Sequence, residues 1–249
     1  YRLPDTTRQV DMAAGDGAGT PSYRRPMGSG GRWVGASAVA VVAVWVLVSI
    51  GGAVNPGFKQ YEQYLSALSA DGTTTPGWGR AALLVAALGL LLVVPVLLRW
   101  CRITAGWVAL AAAGVALIAA VPMICPAGTR FCRAAASAPP ERATLHAVAV
   151  ILFAASVVAA IATGAARVRG SNWAGRALIG GMSAVAVVAA SPGLLVVSGL
   201  PQRWLLLAGQ LAVVALAHLA VVERERVLRL LTTQEARTVS TTTAPSNSP

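Results

Sequence analysis

Hydrophobic positions along this chain do not alternate, and they do not form a single helical stripe. They run through six stretches, at 33–54, 81–98, 105–124, 143–162, 177–197 and 204–222. A segment that is apolar on every face has no side to offer water, and about 20 helical residues cross a bilayer core. The pattern therefore predicts an all-α fold: a polytopic membrane protein built as a bundle of six transmembrane helices within 33–222. Polar segments flank this domain. Residues 1–32 are mostly polar and Gly-rich without periodicity, and read as a disordered cytoplasmic segment. Residues 223–249 read as a juxtamembrane helix, with Glu225 and Arg229 spaced as an i,i+4 pair, followed from Thr232 by a linker-like tail. The first apolar stretch is longer than a signal-peptide core and Gly51-Gly52-Ala53-Val54 gives no clean small-x-small cleavage site, so it is expected to stay as an anchor. A chain that begins with Tyr1 is expected to be a fragment or to have a misjudged start, and Met27, just ahead of this stretch, is one candidate beginning.

Composition agrees with lipid as the solvent. Hydrophobic residues make up 56% and charged residues 12%, and the mean hydropathy is +0.66; a soluble domain has no core large enough for this much apolar surface. The net charge of +11 would suggest nucleic acid in a soluble protein, but here the arginines sit beside apolar runs and mark topology instead. Fourteen of the 20 basic residues fall on one side of the predicted membrane, in the N-terminal segment, the second and fourth loops and the tail, and six on the other. Positive charge is retained in the cytoplasm, so both termini are expected there, with the chain a multi-pass protein of a bacterial plasma membrane. Trp33, Trp78, Trp100, Trp107, Trp173 and Trp204 lie near span ends, where indoles sit at the headgroup level.

Candidate chemistry gathers in the external loops. Phe58, Tyr61, Leu65 and Leu68 are spaced to give a short helix an apolar face, which leaves Glu62, Ser66 and Asp71 either on a lid packed over the bundle or lining an external pocket. Cys125 and Cys132, with six residues between them in the next external loop, are expected to form a disulfide, and Cys101 at the cytoplasmic end of the second span a free thiol. The two histidines, His146 and His218, differ in expected depth by roughly 16 Å, so they cannot share a metal or a haem; no metal and no cofactor is expected. The spans carry no Asp, Glu, Lys or Arg, which argues against an ion or proton path. Ala112, Ala116 and Ala120, and Gly180 with Ala184, offer small faces for helix packing.

Three segments together, Asn55-Pro56-Gly57 with Tyr64-Leu65-Ser66-Ala67-Leu68, His146, and Gly199-Leu200-Pro201-Gln202-Arg203, resemble the bacterial membrane family catalogued as domain of unknown function 998. The resemblance covers about 33–222 and implies a six-helix bundle of this topology. Where that family often carries a Phe-Pro-Cys/Thr-Asp type segment, this chain has Val121-Pro122-Met123-Ile124-Cys125, without the aspartate. Two functions compete. One is a non-enzymatic protein that binds membrane lipid or a small amphiphile, or meets another membrane protein or a second copy of itself, through Glu62, Ser66, His146 and Arg203 at its external face. The other is an intramembrane lipid hydrolase or transferase using Ser66, His146 and an external carboxylate. The first is favoured, and nucleic acid is not an expected partner.

Overall fold

The computed structural model describes residues 29–58, 65–71, 73–121, 140–167, 180 and 199–242. Within them the chain forms α1 (Ser29–Val54), a 3-10 turn (Leu65–Ser69), α2 (Pro76–Trp100), α3 (Arg102–Ala120), α4 (Pro140–Arg167) and α5 (Gly199–Thr242), with no strand among the described residues. All five helices are long and apolar enough to cross a membrane, and each overlaps one of the expected spans. The expected span at 177–197, with its Pro192, lies outside the described residues.

Helix boundaries depart from the apolar runs for local reasons. Proline at the first position of a helix loses no hydrogen bond, and Pro76 starts α2 ahead of residue 81, where the apolar run begins. Cys101, in extended conformation, is the whole connection between α2 and α3: its N–H donates to the Leu97 carbonyl at 2.6 Å and its carbonyl accepts from Ala105 at 3.0 Å. The C-terminal segment differs most from expectation. Instead of a linker from Thr232, the helix runs on to Thr242 for 44 residues in all, about 66 Å at the helical rise, so α5 extends well past a bilayer core at the arginine-rich end. Glu225 and Arg229 pair on it as their spacing predicts.

Alanine makes up much of the interior, with Ala86, Ala105, Ala111, Ala149 and Ala212 fully buried beside Leu68, Leu97 and Leu216, while Val39, Leu84, Ile103, Val148 and Ile151 are exposed on the outside. That arrangement suits lipid, which solvates large aliphatic side chains and leaves close backbone approach as the source of helix association. α3 and α4 pack antiparallel in one register: Thr104 meets Thr163 through their hydroxyls at 3.1 Å, Gly114 lies against the Phe153 backbone, and the Val121 carbonyl meets His146. A Cβ on Gly114 would come within 2.9 Å of the Phe153 nitrogen, so Gly114 is the contact that sets this spacing. Of the expected alanine face, Ala112 is buried but Ala120 is exposed. α1 and α2 are likewise antiparallel, with the Ser37 hydroxyl donating to the Gly89 carbonyl at 2.7 Å. α5 runs parallel to α4, Gly209 against Val157 and Gly164 against Leu216, and also packs on α1 and α2.

Candidate functional site at the α1–α2 loop end of the bundle

The loop after α1 is shaped by Asn55-Pro56-Gly57. The Phe58 N–H donates to the Asn55 carbonyl at 3.1 Å and Gly57 takes φ 84°, a turn with proline and glycine at its two central positions. Asn55, buried, then ties the ends of α1 and α2 together: its amide donates to the Gly51 carbonyl and the Thr75 hydroxyl, and its oxygen accepts from the Thr75 N–H. The turn delivers Phe58 to the bundle, where it is buried.

Of the loop beyond it, residues 59–64, with Tyr61 of the expected apolar face, lie outside the described residues, and the described part begins at Leu65. Leu65–Ser69 is a 3-10 turn pressed onto α2, possible only because position 79 is glycine: a Cβ there would sit 2.4 Å from the Leu68 carbonyl carbon. The turn is closed by the Ser69 hydroxyl on the Ser66 carbonyl at 2.7 Å and by Thr73 on Ala70. Leu68 is fully buried and Ser66 nearly so, so the turn caps the bundle. Asp71, just after it, forms ion pairs with Arg80 of α2 and, at 3.0 Å, Arg142 of α4. Both arginines were legible as external charge; their common carboxylate was not, since Asp71 and Arg142 meet only through the tertiary fold.

Three of the four expected binding residues, Ser66, His146 and Arg203, lie at this end of the bundle, each with its own surroundings. Ser66 faces a cavity of about 20 Å³ that also touches Leu83, Val115, Val150 and Leu206, room for one water. His146 lies one helical turn outward from Val150 and is buried; its Nδ1–H donates to the Val121 carbonyl at 2.8 Å, which leaves Nε2 as the acceptor nitrogen. Arg203 lies one turn outward from Leu206 on α5. Its guanidinium is 5.6 Å from the centre of the Phe58 ring, within cation–π reach, and the residue is only 7% exposed. The sequence places Arg203 just outside the last span, but α5 begins at Gly199 and carries it inside the bundle. Glu62, the fourth residue, lies outside the described residues, as do Cys125 and Cys132.

His218 is exposed, and the α4–α5 register puts it level with residue 166, about 30 Å from His146, farther than expected. No group of three or more His, Cys, Asp or Glu able to hold a metal is present among the described residues. Deeper in the bundle, Gln210 and Ser156 are buried with no hydrogen-bond partner among the described residues for their side-chain polar atoms; a polar residue inside an apolar span is the signal that marks such positions. At the opposite end the Trp100 indole donates to Glu223 at 2.7 Å. Cys101 beside it is a free thiol. Burial pushes that thiol up, but hydrogen bonds from the Thr104 side chain and from the backbone of Thr104 and Ile103, with the charge of Arg167, hold it below its ordinary value.

Five helices among the described residues, each long and apolar enough to cross a membrane and each exposing large aliphatic side chains, mark a multi-pass α-helical membrane protein. The family model described as Protein of unknown function (DUF998) matches residues 38–219, most of the chain, and the chain belongs to that family. No curated protein and no solved structure matches it.

Proposed function

We propose that this is a six-span protein of a bacterial plasma membrane, both termini cytoplasmic, that binds a lipid or small amphiphile at its external end without turning it over. The observation that carries the reading is the burial of Arg203 at the outer end of α5. An arginine at the centre of a spanning helix costs about 2.5–3.5 kcal/mol on insertion scales, less near the interface, and an aromatic neighbour returns about 0.5–2 kcal/mol. A guanidinium at this depth carries fork-shaped donors and a fixed positive charge, chemistry suited to an anionic or zwitterionic headgroup arriving from outside. His146, through Nε2, and Ser66 add a neutral acceptor and a hydroxyl near it, and Glu62 would share Arg203 with the ligand. The arginine and lysine asymmetry supports the orientation, and the oxidising side on which Cys125 and Cys132 would then lie supports their pairing.

Native mass spectrometry of the purified chain with a panel of lipids tests the function. Retention of one lipid class that is lost in Arg203→Met and partly kept in Arg203→Lys is the expected result. Equal retention by all three proteins would overturn the site, capture of a protein partner alone would replace lipid as the ligand, and appearance of cleavage or transfer products would favour an enzyme. Alkaline phosphatase fusions after Arg169 and Arg237 should be inactive, since both would stay in the reducing cytoplasm; an active fusion at either position would overturn the orientation.

A further inference from the structure

At the arginine-rich end of the bundle, opposite the site above, a cavity of about 860 Å³ opens between the start of α1, the last turns of α2 and α4, and α5. That volume lies within the range of roughly 300–1,000 Å³ typical of small-ligand sites. Its wall on α5 carries Ala220 and Val221, then Glu223 and Arg224, then Val227 and Leu228, steps of three and four residues that keep one helical face turned to the cavity. From 220 to 228 that face runs about 12 Å along the axis.

The lining changes character along this length. Toward the membrane interior Pro95 and Val96 of α2 join Ala220 and Val221 in an apolar floor. One turn farther out stand Arg99, Arg167 and Arg224, contributed by three different helices, with Trp33 and Trp100 beside them. The cavity also holds two carboxylates, and both are engaged: Glu223 accepts the Trp100 indole N–H at 2.7 Å, and Glu225 lies 3.8 Å from Arg229. None of the three arginines forms an ion pair among the described residues. Cationic groups at headgroup depth over an apolar floor, flanked by indoles, match the two ends of a phospholipid, and guanidinium forks match its phosphate oxygens. A soluble anion would make no use of the floor.

We propose that this cavity binds the phosphodiester headgroup of an anionic phospholipid, with Arg99, Arg167 and Arg224 on the phosphate and the acyl chains leaving past Pro95 and Val96. The reading is independent of the outer site, and Arg203→Met is expected to leave it intact. The test uses the full-length protein in detergent with phosphatidylglycerol, phosphatidylcholine and inorganic phosphate as probes, read by native mass spectrometry. The wild type should retain phosphatidylglycerol at least about tenfold better than phosphatidylcholine, since each arginine near a headgroup adds appreciable attraction. The Arg99→Gln/Arg167→Gln/Arg224→Gln variant should lose that preference at an unchanged melting temperature, while Arg102→Gln/Arg226→Gln, which removes charge from the same end but not from the cavity, should keep it. If the triple variant does not fold, Arg224→Gln alone should lower retention several-fold. Equal retention of the two lipids by the wild type, or of phosphatidylglycerol by the folded variant, would overturn the proposal. So would an equal loss in the Arg102 and Arg226 control, which would reduce the effect to general surface charge, or displacement by millimolar inorganic phosphate, which would make this a site for a free anion.

Discussion

Replacing Gly79 by alanine should loosen the cap at the outer end, and the neighbouring Gly77 provides the control. A Cβ at 79 would lie 2.4 Å from the Leu68 carbonyl carbon and 2.5 Å from the Ser69 nitrogen. Ordinary contacts between such atoms begin near 3.4 Å, so the 3-10 turn would have to retreat by about 1 Å. The atoms in the way are backbone, held by the buried Leu68 side chain and the Ser69 to Ser66 hydrogen bond, and cannot swing aside as a side chain would. Overpacking of this kind costs about 3 kcal/mol at the upper end of its usual range, partly offset by the roughly 1 kcal/mol by which alanine exceeds glycine in a helix. A net loss of about 2 kcal/mol corresponds to a melting temperature lower by about 4–8 °C for a chain of this size. At Gly77, two residues earlier in α2, an added Cβ meets nothing within 4 Å, so alanine there should be neutral or stabilising by up to about 1 kcal/mol. Thermal unfolding of the two variants in the same detergent measures the difference. If Gly79→Ala melts with or above Gly77→Ala, the turn does not rest on α2 as described.

Gln210→Met removes a buried amide that has no partner among the described residues and should leave stability unchanged or raise it by about 1 kcal/mol; a loss of several degrees in melting temperature would mean that the amide is engaged. Cys101 should react with maleimide along a pH profile whose midpoint lies below that of an ordinary thiol, since the thiolate forms early there, and Thr104→Val, which removes the side-chain hydrogen bond holding it low, should move the midpoint up; an unmoved profile would refute that cause. In the unfolded, non-reduced protein, Cys101 should be the one cysteine labelled, and three labelled cysteines would refute the Cys125–Cys132 pairing.

The spans at 81–98, 143–162 and 204–222 were readable because an unbroken apolar run needs no tertiary information to imply a lipid-facing helix. What those runs do not contain is register. Gly114 and Ala112 look equally small along the chain, and only the approach of Phe153 distinguishes the one that sets the α3–α4 spacing. That Ser66, His146 and Arg203 lie toward one end of the bundle was legible from the span pattern, since each falls near a span end on the same side. The burial of Arg203 was not, because the apolar run begins at Trp204 whereas the helix begins five residues earlier, at Gly199. Loop geometry was the least legible: the spacing of Leu65 and Leu68 suits an α-helix as well as a 3-10 turn, and only the glycine at 79 on another element admits the tight 3-10 turn against α2. The helical tail to Thr242 overrides a composition that reads as linker.

The most direct measurement of the central claim is a structure of the protein in lipid nanodiscs with the outer end resolved. The account predicts a lipid or amphiphile headgroup within hydrogen-bond distance of the Arg203 guanidinium, with His146 still bonded through Nδ1 to the Val121 carbonyl. A guanidinium enclosed by Phe58 and other protein atoms alone, at saturating lipid and with no bound headgroup nearby, would contradict it.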